Sequence, residues 1–230
     1  MTAPQTGSPE EEPAPRRYRD GARAAAPLAL AVLGFGISFG VLARAVGMGV
    51  LAPIVMSITT FGGSAQFAAV SVLSAGGGVA AAVLAAVMLN SRYLPIGLSA
   101  APSLRGGLLR RMLEGQLIVD EAWAVGHRGG GHFDRQLLLG AGGLLYVSWV
   151  VGTAIGVLGA EALGDPAKLG LDAAFPALFL GLLVSQVHNR RAVAAAVLGA
   201  AIALALVPFV PAGLPIVAAS LACLIGLRRA

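Results

Sequence analysis

The sequence predicts an all-α polytopic membrane protein: a bundle of about six to eight transmembrane segments with one or two broken or re-entrant helices. Mean hydropathy is +0.82, and charged side chains make up 12% of 230 residues, about half of the ~25% usual in soluble domains. The charges are also segregated. Glu10, Glu11, Glu12, Arg16, Arg17, Arg19, Asp20 and Arg23 crowd the beginning, whereas residues 24–104 carry only Arg44 and Arg92. The 32 glycines follow no collagen-like period and suit membrane helices, in which glycine lets backbones approach closely.

Residues 1–22, rich in Pro, Glu, Arg and Ala, cannot bury enough apolar surface to offset their ordering entropy. They are expected to form a disordered cytoplasmic tail, with residues 23–230 as a single transmembrane domain. The first apolar segment covers roughly 24–43. Its run over 24–41, followed by Ala43-Arg44-Ala45, is longer than the ~7–15 residues of a signal-peptide core, so it is expected to stay in the membrane. The second, 50–73, contains Pro53, Ser57, Thr59, Thr60, Gly62, Gly63 and Ser64. That composition weakens a helix in its middle and supplies side chains to satisfy the freed backbone, as in a broken or re-entrant element.

The third segment, 79–101, is without charge except for Arg92. The fourth, 113–126, is short and holds Glu114, Gln116, Asp120 and Glu121, so it is either buried in a bundle or at the interface. Further apolar runs cover 136–160, 169–187, 192–210 and 213–227. Cys223, the single cysteine, excludes an intrachain disulfide and reads as core packing. Pro53 and the Asp172 to Pro176 stretch are too loosely alike to define a repeat.

Lys and Arg favour the cytoplasmic side. With eight spans and the N-terminus inside, ten basic residues fall inside and five outside. With a re-entrant second segment and the fourth at the cytoplasmic face, Arg105, Arg110 and Arg111 move inside, giving thirteen against two. Both arrangements put both termini in the cytoplasm. The pI near 10.3 does not indicate nucleic acid, because the arginines sit at the ends of apolar runs instead of forming a stripe with aromatics.

The densest intramembrane polar block is Phe61-Gly62-Gly63-Ser64-Ala65-Gln66-Phe67. Gly62 and Gly63 open a helix there, exposing N–H groups beside the Ser64 hydroxyl and Gln66 amide, which suits a carboxylate. A glycine helix crossing with Gln66 bonded to a neighbour is the plainer alternative. Asn90-Ser91-Arg92-Tyr93 follows. The guanidinium of Arg92 suits a carboxylate of substrate or protein, or else snorkels to the interface beside Tyr93.

Asp120 and Glu121 pair with Arg92, bind an ammonium group or carry a proton if buried; if exposed, they balance Arg110 and Arg111. Asp172 is an ammonium partner or an N-cap. His127, His132 and Asp134 flank glycines in a loop that holds no metal geometry, so a solvated loop is expected and no metal site. A Ser64–His188 catalytic pair has no third member. No phosphate-binding Gly-x-x-x-x-Gly-Lys-Ser/Thr loop is present, so the chain is not itself an ATPase.

Several blocks come in a fixed order: Phe35-Gly36-Ile37-Ser38-Phe39-Gly40, Phe61 to Phe67, Asn90-Ser91-Arg92, Asp120-Glu121-Ala122-Trp123, Tyr146 to Thr153 and Leu171 to Phe179. This order resembles the AzlC/YgaZ family, the large subunit of LIV-E type branched-chain amino acid exporters, over about residues 27–228. In that family His often follows Arg92 and a Tyr-Gly pair comes next; here Tyr93-Leu94-Pro95-Ile96-Gly97 stands instead. The resemblance implies an inner-membrane secondary exporter of valine, leucine, isoleucine or similar amino acids, driven by the proton-motive force. It also implies a small AzlD/YgaH-type membrane subunit as partner.

On this reading no cofactor and no enzymatic activity are expected. The substrate carboxylate meets Ser64, Gln66 or Arg92, and the ammonium meets Asp120, Glu121 or Asp172. Phe61, Phe67, Phe175 and Phe179 wall the apolar pocket. The competing readings are a membrane-embedded enzyme and a non-transporting scaffold or assembly subunit.

Overall fold

The computed structural model describes residues 17–163 and 189–210, with scattered positions from 180 to 222. Asp172, Phe175, Phe179, His188 and Cys223 lie outside the described residues. The helices are α1 (Tyr18–Ala45), α2 (Leu51–Thr60), α3 (Gly63–Ser74), α4 (Val79–Asn90), α5 (Tyr93–Ala100), α6 (Leu108–Gly115), α7 (Asp120–Gly126), α8 (Arg135–Leu163) and α9 (Arg190–Leu206). Among the described residues, three runs are long and apolar enough to cross a membrane: Tyr18–Ala45, Val79–Ser103 and Arg135–Ala162. The all-α membrane class follows from the sequence as expected.

The expected boundary of the tail moves. α1 begins at Tyr18, inside the stretch assigned to the tail, because Asp20 closes its first turn by accepting from the Arg17 backbone N–H at 2.8 Å. The phenol of Tyr18 also accepts from Arg135 Nη1 at 2.8 Å, tying the start of α1 to the start of α8.

At the far ends of the same two helices, Arg44 Nη2 and Glu161 Oε1 lie 3.1 Å apart. α1 and α8 therefore run side by side in the same direction. Gly36 and Gly40 on α1 face Gly152 and Gly156 on α8, and a spacing of four keeps each pair on one helix face. A Cβ at Gly36 would lie 2.8 Å from the Trp149 carbonyl oxygen, and one at Gly156 would collide with the Ile37 backbone.

Because backbone cannot move aside, Gly156→Leu should destabilise the folded protein by at least the ~1–3 kcal/mol of ordinary overpacking. Gly34→Ala, with nothing within 4 Å of its added Cβ, should be near neutral. Thermal unfolding in detergent compares the two, and equal melting would disprove this helix contact.

The second segment folds back on itself. Gln66 Nε2 donates to Ser57 Oγ at 2.9 Å, although nine residues of straight helix span ~13 Å. The reversal lies at Phe61, in the left-handed region at φ 36°, followed by Gly62. Helices of 10 and 12 residues reach ~15 and ~18 Å, about half of the ~30 Å hydrocarbon core. The element is thus a re-entrant hairpin. α4 returns antiparallel to α3, with Asn90 against Gly62 and Ala82 clustered with Val72.

The fourth segment divides into α6 and α7. Glu114 of α6 accepts from Arg110 Nε at 2.9 Å and Arg135 Nε at 3.0 Å, and forms a second, closer contact with Arg135 Nη2. It also accepts from the Arg105 N–H at 3.5 Å. The eight-span arrangement, with Arg105 and Arg110 opposite Arg135, is therefore corrected: one carboxylate gathers all three at one end.

The Arg135 guanidinium beside it, helped by Arg110, lowers the Glu114 carboxyl to about 2. A folded value below the unfolded ~4.3 stabilises the protein above pH ~4, and this stabilisation is lost as pH falls through about 2. Glu114→Gln should therefore cost about 1–3 kcal/mol at neutral pH, a gap that shrinks as pH falls toward 2 and closes below it. Thermal unfolding of the pair across pH checks this; a gap that does not change with pH would refute it.

Candidate functional site

Three helix interruptions meet at mid-depth on the inner faces of α1 and α8. The first is the hairpin tip. Gly62 caps α3 without a side-chain bond, and the first helical bond is Gln66 N–H to the Gly62 carbonyl at 2.9 Å. The N–H groups of Gly63, Ser64 and Ala65 thus precede any intrahelical acceptor and form a small positive pole. The second is the Ser91–Arg92 break between α4 and α5, and the third is the start of α7 at Asp120.

Between them lies a cavity of about 190 Å³. Leu28, Ala31, Val32 and Phe35 of α1 line one side, and Leu145 and Trp149 of α8 the other. The polar groups come from the interruptions: Gly63 and Ser64, Arg92 and Tyr93, Asp120 and Glu121. Arg92 Nη2 lies 2.8 Å from Asp120 Oδ2 and 3.0 Å from Ser64 Oγ, with the Tyr93 hydroxyl at 3.4 Å. An intramembrane arginine is tolerated only with such partners or an aqueous cavity, and here the partners are in place.

Five expected site residues, Gly63, Ser64, Arg92, Asp120 and Glu121, line this one cavity. Gln66 does not. It is fully buried: Nε2 donates to Ser57 Oγ, and Oε1 accepts from Trp149 Nε1 at 2.8 Å. Ser57 Oγ in turn lies 2.9 Å from Thr153 Oγ1. The Gln66 amide is therefore satisfied by protein and fastens the hairpin to α8.

Gly62 and Asn90 stand just behind the cavity. A Cβ on Gly62 would meet Asn90 Oδ1 at 2.5 Å, and one on Gly63 would meet the Trp149 ring at 2.9 Å, so a side chain at either position has to push Asn90 or Trp149 aside. Asn90 also borders a second, mostly apolar cavity of about 590 Å³ beside α4. Phe61 lines the first cavity, but Phe67 does not. Its ring packs edge-on against Phe35, Phe39 and Trp149.

Sequence reasoning missed Phe35 and Trp149 as cavity walls and Tyr93 as a partner of Arg92. Trp149 carried a signal, since an indole N–H in an otherwise apolar helix needs an acceptor. The loop histidine His127 stacks on Trp123, with ring centroids 5.2 Å apart, and bridges to Phe133.

Broken helices around a charged cavity between long apolar spans define a multi-pass membrane transport protein. The chain belongs to the AzlC family, whose AzlC protein profile matches residues 27–163. It is 27% identical over 210 residues to the inner membrane protein YgaZ of Escherichia coli, covering 84% of each chain. An uncharacterized membrane protein of Archaeoglobus fulgidus is 31% identical over 190 residues, 82% of this chain and 84% of the relative. The branched-chain amino acid transport protein AzlC of Bacillus subtilis is 27% identical over 166 residues, 70% and 64%. No solved structure matches this chain.

Proposed function

We propose that this protein is a secondary transporter of the cell membrane that exports valine, leucine, isoleucine and similar neutral amino acids, driven by the proton-motive force. One observation carries the reading: Ser64, Arg92 and the α3 N–H groups share an aromatic-walled cavity with Asp120 and Glu121. A zwitterion with an apolar side chain needs those three features. Its carboxylate meets Ser64, Arg92 and the α3 N-terminus, its ammonium meets the acidic pair, and Phe35, Phe61 and Trp149 enclose the side chain. Asp172 remains a proposed ammonium partner.

The name of the Bacillus subtilis relative supports the substrate class. The chain acts as a transporter and not as an enzyme, with both termini in the cytoplasm and a small AzlD/YgaH-type subunit as partner. The test is efflux of preloaded radiolabelled valine, leucine and methionine from cells expressing the chain with and without that subunit. Faster efflux that an uncoupler abolishes is expected. No change for any amino acid, with the protein inserted in the membrane, would discard the substrate class.

A further inference from the structure

We infer that Glu121 couples transport to protons because its carboxylate binds either a proton or the substrate ammonium, never both. The inference rests on reading the cavity as an amino-acid site. Asp120 and Glu121 are adjacent in the first turn of α7 and both line the cavity. Among the described residues, Arg92 is the one cation on that lining, and it lies 2.8 Å from Asp120 Oδ2. Asp120 is thus neutralised inside the protein. Among the described residues, no basic side chain forms an ion pair with Glu121.

The other groups facing Glu121 leave it in that position. Tyr93 and Arg92 are the titratable residues from the α4–α5 break, and Asp120 is the one on its own helix. The cavity linings from α1, α3 and α8 add no ionisable side chain: Leu28 and Phe35, the Ser64 hydroxyl, Leu145 and Trp149. A carboxylate against apolar walls and beside a second acid favours its neutral form until a cation arrives.

The substrate brings that cation. On the cytoplasmic side the ammonium takes the Glu121 carboxylate and the carboxyl proton leaves to that solution. On the outer side the amino acid departs and a proton from outside takes its place. One proton enters for each zwitterion that leaves, so export and proton entry are obligatorily linked.

The experiment measures L-leucine binding and proton release together, using the purified protein with its small subunit in weakly buffered detergent, from about pH 5 to about pH 8. The wild-type protein should release about one proton per leucine bound at the acid end, and its affinity should fall by ~10-fold per pH unit below the carboxyl's value. Glu121→Gln should bind more weakly, without pH dependence and without proton release. Glu121→Asp should keep both at a shifted pH.

Leucine binding without proton release, or release by Glu121→Gln equal to wild type, overturns the proposal and leaves the transport reading standing. Should the glutamine variant fail to fold, an unshifted pH profile in Glu121→Asp overturns it instead. Wild-type protein that binds no leucine at any pH removes the substrate reading and this inference with it.

Discussion

Arg92→Ala should reduce amino-acid efflux to background while leaving the protein inserted in the membrane. The guanidinium holds Ser64 at 3.0 Å and Asp120 at 2.8 Å, so it joins the hairpin tip, the α4–α5 break and α7 at one point. Charge-assisted bonds to a substrate carboxylate contribute ~1.5–3 kcal/mol each, and losing two of them lowers occupancy by roughly 10²-fold or more. Removal also leaves Asp120 as an uncompensated charge in the cavity, repelling the same carboxylate.

Arg92→Lys keeps the charge but not the fork, and should retain a small residual rate because one ammonium cannot reproduce the planar geometry. Arg92→Ala with Asp120→Ala removes the stranded charge as well and should still give only background efflux. Efflux normalised to inserted protein distinguishes these variants. Wild-type rates in Arg92→Ala would sink the site.

Gln66→Leu should produce the largest loss of stability, about 2–4 kcal/mol, because it leaves the buried Trp149 N–H without an acceptor and Ser57 short of a donor. Both residues are buried, so an unpaired polar group there carries its desolvation cost. Replacing both ends is a different case. Gln66→Leu with Trp149→Phe removes donor and acceptor together and should regain a large part of the loss. Thermal unfolding in detergent separates the two variants; a single mutant as stable as wild type would show that the network does not hold the hairpin.

Much of the site was legible because charge is so rare in this chain. Between residues 24 and 104, Arg92 is the sole charged side chain away from the end of a span, so the sequence singled it out while leaving a carboxylate partner and a snorkelling arginine equally open. Gly62-Gly63-Ser64 marked a helix interruption through composition alone, and the interruption occurs there, between α2 and α3. Gln66 was misplaced because an amide inside an apolar run looks the same whether it faces a ligand or a neighbouring helix. Trp149, 83 residues away, supplies the partner that decides between them.

The fourth segment shows a similar division. Its polarity excluded a free-standing span, but its split into an outer helix anchored by Glu114 and an inner one presenting Asp120 depends on Arg135 and Arg92, both distant in the chain. The direction of the hairpin was likewise undecided, since a broken span and a re-entrant loop have the same local composition.

By itself the sequence determined the membrane class, the positions of the helix interruptions and the residue types that face charge, because hydropathy and backbone breaking are local properties. Only the tertiary structure decided that α1 and α8 lie parallel at glycine contact, that the second segment turns back, and which acid pairs with Arg92. Those outcomes depend on side chains that meet across a hundred residues, and in a bilayer, where apolar surface alone gives no preference for one neighbour over another, close packing and hydrogen bonding select the partner.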